Sequence, residues 1–165
     1  MSQLSLWPIA QFLILLTLAN GVPVIAKRML GDWLAWPIDG GWLFWDGQPL
    51  LGRSKTVRGL VLAILATTIG APMIGLDIET GMLVGFTAMV GDMFSSFLKR
   101  RLRLAPSAQA PGFDQVPESL LPFLVARNLV GFSAWDILIG VGVFWIGELL
   151  VSRFLYMLHV RDRPY

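Results

Sequence analysis

The sequence predicts an all-α integral membrane protein with five transmembrane helices, the N-terminus outside and the C-terminus in the cytoplasm. Three observations lead there. Apolar residues make up 55% of the 165-residue chain and charged residues only 15%, where an ordinary soluble domain carries about 25% charged residues. The apolar residues fall in long blocks rather than narrow amphipathic stripes, and mean hydropathy is +0.66, so lipid is the expected solvent. The basic residues collect at alternate ends of those blocks, which sets the orientation.

The first span is expected over about 6–26. No Lys or Arg precedes its apolar run, and the pair Lys27–Arg28 follows it. A signal peptide has the reverse order, basic residues first, so a retained span is expected. The second span is placed at about 59–76 and the third at about 80–99. The fourth, "VPESLLPFLVARNLVGF" over 116–132, is short and polar, and the fifth covers about 135–158. Together they form one transmembrane domain over 1–165. Pro23, Pro72 and Pro122 lie inside these runs, where membrane helices tolerate them and kinks are expected.

Every Lys and Arg except Arg127 falls after span one, before span two, after span three or after span five. The N-terminus, the "LDIET" turn and the "GFSAW" turn hold none. An odd number of spans follows, with cytoplasmic segments at 27–58 and 100–116 and a site on the cytoplasmic side of the cell (inner) membrane. Cysteine is absent, which excludes disulfides, thiolate metal sites and a cysteine nucleophile. The single histidine, His159, reads as an interfacial side chain. No nucleic-acid partner is expected.

The third span ends in "GDMFSSFLKRR", 91–101. Residues 92, 95, 96 and 99 share one helical face at i, i+3, i+4 and i+7. Asp92 lies about 10 Å along the axis from Lys99. A carboxylate at that depth needs a wet cavity or a partner. One bland reading pairs it with Arg127, and "KRR" alone reads equally as an ordinary cytoplasmic flank. Gly85 and Gly91 permit close approach of another helix or a ligand.

The first cytoplasmic segment carries "PIDGGWLFWDGQPLLGRSKTVRG", with Asp39, Asp46, Arg53, Ser54, Lys55, Thr56 and Arg58. "GRSKT" is similar to the end of a phosphate-binding loop but lacks the G-x-x-x-x-G-K-[ST] spacing. Asn20 breaks span one near its cytoplasmic end, and Asp114 and Gln115 precede span four. By membrane level, Asp39, Asp46, Asp92 and Asp114 converge, as do Lys55, Arg58, Lys99, Arg100 and Arg101. Carboxylates of this kind suit Mg²⁺, which one or two of them hold together with substrate phosphates. A cationic ring suits polyphosphate. The combination points to a phosphorylated substrate met at the bilayer surface.

"PIDGGWLFWDGQPLLGRSKTVRG", "GDMFSSFLKRR" and "APGFDQVP", in that order, resemble the CDP-archaeol synthase family. The resemblance runs from Asn20 to about Gln115. It implies a small five-span membrane cytidylyltransferase that joins CTP to an archaeal glycerol diether phosphate, with Mg²⁺ and release of pyrophosphate. Carried over by position, it puts Asp39, Asp46, Lys55 and Thr56 of the first loop at the site. It adds Asp92, Ser96, Lys99 and Arg100 on span three, and Asp114 and Gln115 after it. Two departures stand out: Arg-Ser in place of an expected Asp-Gly before Lys55–Thr56, and Ser95 where Gly is expected.

The expected roles follow. Asp92, Lys99 and Asp114 are catalytic, and Asp92 with Asp114 or Asp39 holds Mg²⁺. Asn20, Asp39, Asp46, Lys55, Thr56, Arg58, Ser96, Arg100, Arg101 and Gln115 bind CTP and the lipid phosphate. A CDP-diacylglycerol-type synthase acting on phosphatidic acid is the near alternative. A small transporter or a structural subunit is the alternative of another class. Glu148, mid-span in the fifth helix, is explained by none of these readings. Gly140, Gly142 and Gly147 offer a small-residue surface on which a homodimer is plausible.

Overall fold

The computed structural model describes residues 5–104 and 112–157. His159, the end of the expected fifth span and part of the second cytoplasmic segment lie outside the described residues. Among the described residues six helices follow in order: α1 (Leu6–Leu30), α2 (Val57–Met73), α3 (Ile78–Arg101), α4 (Gln115–Val125), α5 (Arg127–Val130) and α6 (Ala134–Met157). Among the described residues there is no strand. Two isolated bridges, Pro37 with Thr56 and Leu43 with Pro49, lie in the segment between α1 and α2.

Local chemistry sets the helix ends. Thr56 caps α2, its Oγ1 accepting from the Gly59 N–H at 3.1 Å, so the helix begins two residues before the expected start. Asp77 caps α3, accepting from the Thr80 N–H at 2.6 Å and the Thr80 hydroxyl at 2.8 Å. Lys99, Arg100 and Arg101 occupy the last turn of α3, where cations complement the helix dipole. Gly31 and Gly131 close α1 and α5 at positive φ of 54° and 82°.

Among the described residues three helices, α1, α3 and α6, are long and apolar enough to cross a membrane, and α2 is a shorter apolar helix of 17 residues. The expected fourth span divides. The 11-residue α4 ends at Ala126, and a single turn, α5, follows. At 1.5 Å per residue α4 is about 16 Å long, half the hydrocarbon thickness.

Helix α3 packs on α1, α2 and α4, and α6 packs on α1 and α4. Phe12, Phe123 and Phe132 fill the centre with ring centroids 4.9–5.3 Å apart. Tilted and edge-on contacts of this kind add to the burial itself. Glycines close several further seams. A Cβ on Gly81 would lie 2.5 Å from the Thr67 carbonyl oxygen, and one on Gly85 would lie 3.0 Å from the Ile64 Cα. A Cβ on Gly91 would lie 2.3 Å from the Pro117 carbonyl oxygen. The close approach expected at Gly85 and Gly91 is thus made to α2 and α4. Gly140 is also used internally, with the Phe123 ring 2.4 Å from where its Cβ would be. It therefore leaves the expected dimer surface, on which Gly142 and Gly147 remain open.

At one end of the bundle, Asp136 ties α6 to the start of α1. Its carboxylate accepts from the Ser5 N–H at 2.9 Å and from the Ser133 N–H and hydroxyl at 2.9 and 2.7 Å. At the opposite end of α1 lies the long segment 31–56.

Candidate active site

The segment 31–56 has little apolar core of its own; Trp33, Trp36, Trp42 and Trp45 are all exposed. Polar contacts hold it instead. Asp39 accepts from the backbone N–H groups of Gly41, Leu51 and Gly52 at 2.8–3.0 Å. Partial burial acts to raise its pKa, but these three donors outweigh it and hold the carboxyl below its ordinary 3.8. Asp46 accepts from the Gln48 N–H at 3.0 Å and pairs with Arg101 at 2.7 Å. The Arg101 guanidinium lies 4.5 Å from the Phe44 ring and 4.9 Å from the Phe97 ring, and donates to the Pro49 carbonyl at 2.6 Å. Arg58 donates to the carbonyls of Trp33 and Gly31, the latter at 3.0 Å. Two arginines thus fasten the segment to α2 and α3.

The folded segment roofs a cavity of about 420 Å³. Asn20 and Lys27 line it from α1, Arg53 to Thr56 from the segment, and Asp92 from α3. The run 53–56 meets the start of α2, so helix N–H groups lie beside Arg53 and Lys55 in the lining. Lys55 and Asp92 form an ion pair across it. Burial acts to lower the Lys55 pKa. Asp92 outweighs that, aided by Glu118 and Asp114, and keeps the ammonium above its ordinary 10.5.

A second polar group lies between α3 and α4. Lys99 meets both Asp114 oxygens, at 2.7 and 2.9 Å. Gln115 accepts from the Gly112 N–H at 2.9 Å. Arg100 and Ser96 are buried, and so is Glu118 at 3% exposure. Ser95 donates back to the Gly91 carbonyl at 3.0 Å. Glu118, in the first turn of α4, lies within electrostatic reach of Lys55, as do Asp92 and Asp114, and so stands between the two groups.

Of the residues singled out from the sequence, Asn20, Lys55, Thr56, Arg58 and Asp92 line the cavity. Ser96, Lys99, Arg100, Asp114 and Gln115 lie along α3 and the start of α4. Asp39, Asp46 and Arg101 do not line the cavity; their hydrogen bonds hold the segment that covers it. Asp92 pairs with Lys55 rather than Arg127, which is exposed on α5. Three further residues belong to the region. Lys27 lies seven residues after Asn20, on the same face of α1. Asp32 follows the Gly31 cap. Glu118 is an acid inside an apolar run, three residues after Gln115.

The donor set fits a divalent cation. Among the described residues no three acidic or histidine side chains form a ready-made metal cage. Mg²⁺ needs none, because it keeps waters and substrate phosphates as ligands. Asp92 pairs with the Lys55 ammonium, Asp114 and Glu118 lie within electrostatic reach of it, and Glu118 Oε1 is buried. Asp39 differs, since three backbone donors already engage its oxygens.

A model of the CarS-like CDP-archaeol synthase family matches residues 72–165. A CDP-archaeol synthase of Sulfurisphaera tokodaii is 33% identical over 137 residues, covering 78% of this chain and 81% of that protein. One from Hyperthermus butylicus is 39% identical over 104 residues, so that the match spans 59% of each chain. One from Thermofilum pendens is 29% identical over 89% of this chain and 75% of its own length. A solved structure, described as an intramembrane enzyme for archaeal membrane lipids biosynthesis, shares the fold. Its TM-score is 0.70 at 24% identity, over 84% of this chain and 91% of that one. The chain belongs to the CDP-archaeol synthase family.

Proposed function

We propose that the chain is a Mg²⁺-dependent cytidylyltransferase that joins CTP to a lipid phosphate, giving a CDP-lipid and pyrophosphate. The observation that carries this reading is the Lys55–Asp92 pair in a cation-lined cavity at the ends of membrane helices. The family relatives, named CDP-archaeol synthases, support an archaeal-type glycerol diether phosphate or a close relative as the acceptor.

The chemistry asks for positioning rather than a base. A phosphate monoester has its second pKa near 6, so the lipid phosphate is largely a dianion at neutral pH. One of its oxygens attacks the α-phosphorus of CTP. The bond from that phosphorus to the β-phosphate oxygen breaks, and pyrophosphate leaves with the electron pair. Two anions must be held together in line. Lys27, Arg53 and Lys55 face the cavity and would neutralise the triphosphate and its leaving group. The N-terminus of α2 adds partial positive charge on the same side. Asp92 and Asp114 would hold Mg²⁺ together with substrate phosphates, and the ion would supply positive charge against the phosphates. Lys99 orients Asp114, and Asp39, Arg58 and Arg101 keep the roof in place. This reading includes five crossings, with α4 and α5 completing the fourth and the cavity facing the cytoplasm; the basic residues at 27–58 and 99–103 favour that side.

The test is pyrophosphate release by purified protein with CTP and Mg²⁺. Archaeal diether phosphate and phosphatidic acid are offered separately, with Asp92→Asn in parallel. Release with one lipid, reduced about 10³-fold or more in the variant, supports the reading and identifies the acceptor. Folded protein that releases no pyrophosphate with either lipid overturns it.

A further inference from the structure

A lipid phosphate cannot bring its chains out of the hydrocarbon to reach the cavity, so a seam between helices must admit it. Glycines show which seams are shut. The α2/α3 seam is closed at Gly81 and Gly85, and the α3/α4 seam at Gly91. The α1/α2 seam is closed at Gly70, where the Leu18 side chain would lie 2.7 Å from an added Cβ. The α4/α6 seam is closed at Gly140 by Phe123.

The α1/α6 seam is built differently. Gly21 on α1 and Gly147 on α6 both face it, and a Cβ on either would meet nothing within 4 Å. They flank a groove of about 200 Å³. Its apolar walls include Leu13, Val143 and Phe144, and its polar positions are Thr17, Asn20, Glu148 and Ser152. From Leu13 to Val24 it follows α1 for about 16 Å. Asn20 and Val24 line both this groove and the 420 Å³ cavity. The Asn20 amide nitrogen is buried at that junction, facing the Glu118 carboxyl group. A larger crevice beside Asp77 and Leu129 shares no lining residue with the cavity.

We propose that the α1/α6 groove is the binding site for one hydrocarbon chain of the lipid phosphate. The chain lies along Leu13, Val143 and Phe144. Asn20 donates to an oxygen at the chain's linkage to glycerol, and the phosphate passes Val24 into the cavity. The inference rests on the cytidylyltransferase reading for the identity of the lipid. It also assigns a place to Asn20, which the transfer chemistry leaves unused.

The test is a lipid phosphate carrying a photoreactive diazirine midway along one chain, crosslinked to the detergent-solubilised full chain and mapped by peptide mass spectrometry. Labelling of α1 and α6 that unlabelled lipid phosphate competes away and that Gly147→Phe removes is the expected result. In turnover assays Gly147→Phe raises the KM for long-chain lipid phosphate about tenfold or more, with the KM for CTP changed less than about twofold. Gly142→Phe, which also enters open space on α6 but outside the groove, retains both labelling and KM. Competed labelling at the Leu129 crevice, uncompeted labelling spread over the lipid-facing surface, or an unchanged lipid KM in folded Gly147→Phe overturns the proposal. Because crosslinking needs no turnover, an inactive wild type with competed α1/α6 labelling defeats the transfer reading alone.

Discussion

Substituting Gly91 by alanine separates position from chemistry at this site. An added Cβ would lie 2.3 Å from the Pro117 carbonyl oxygen, 2.6 Å from its carbon and 2.7 Å from the Glu118 Cα. All three are backbone atoms of α4, so no side chain can swing aside. Restoring ordinary contact requires α3 and α4 to part by about 1 Å. Overpacking of this severity costs about 3 kcal/mol, the upper end of the usual range. For a chain of this length that corresponds to a fall in Tm of about 6–12 °C. The same displacement moves Asp92, on α3, away from Glu118 and Asp114, on the α4 side. A misplacement of about 1 Å is expected to lower turnover about 10²-fold. Thermal unfolding in detergent, read alongside CDP-lipid formation, measures both effects. Gly142→Ala is the control, because its Cβ meets nothing within 4 Å, and it is expected to stay within about 0.5 kcal/mol. Gly91→Ala with wild-type Tm and turnover would refute the claim that this seam positions the carboxylate.

Two further outcomes concern the roof of the cavity. Arg101→Ala removes the Asp46 pair, the bond to the Pro49 carbonyl and the contacts with Phe44 and Phe97. It should loosen the segment by about 2 kcal/mol, read as faster proteolysis within 31–56; an unchanged cleavage rate counts against the clamp. The Asp39 carboxyl is held below 3.8 when folded. Its contribution is therefore present above that value and lost as pH falls through the lower folded pKa. Pepsin cleavage within 31–56 should rise across that acid window in the wild type. In Asp39→Asn it should be elevated at every pH tested and depend less on pH; matching profiles would show that the carboxylate does not hold the segment.

The long helices were legible from composition because apolar blocks and charge placement are one-dimensional signals. The polar face of α3 was legible too, since Asp92 in an apolar run demands a partner. That the partner is Lys55 rather than Arg127 was not, because it depends on how the segment 31–56 folds back. The same folding decides that Asp39 and Arg101 meet backbone groups and aromatic rings, and residue type alone does not distinguish such a brace from a ligand. The division of the fourth span at Ala126 was hidden by a run polar enough to read as a weak span. Glu118 had a local signal, an acid in "VPESLLPFLV", whereas its proximity to Lys55 is a property of the α3/α4 seam.

That seam has a mechanical consequence. Helix α3 is gripped on one side by α2 at Gly81 and Gly85 and on another by α4 at Gly91, each contact too close for a methyl group. A helix held this way can neither roll nor slide without colliding with a neighbour's backbone. Asp92 therefore sits on a fixed axle, whereas α6 keeps open space beside Gly142 and Gly147. Three hydrogens, one on each glycine where a side chain would begin, set the tolerance to which the carboxylate is mounted.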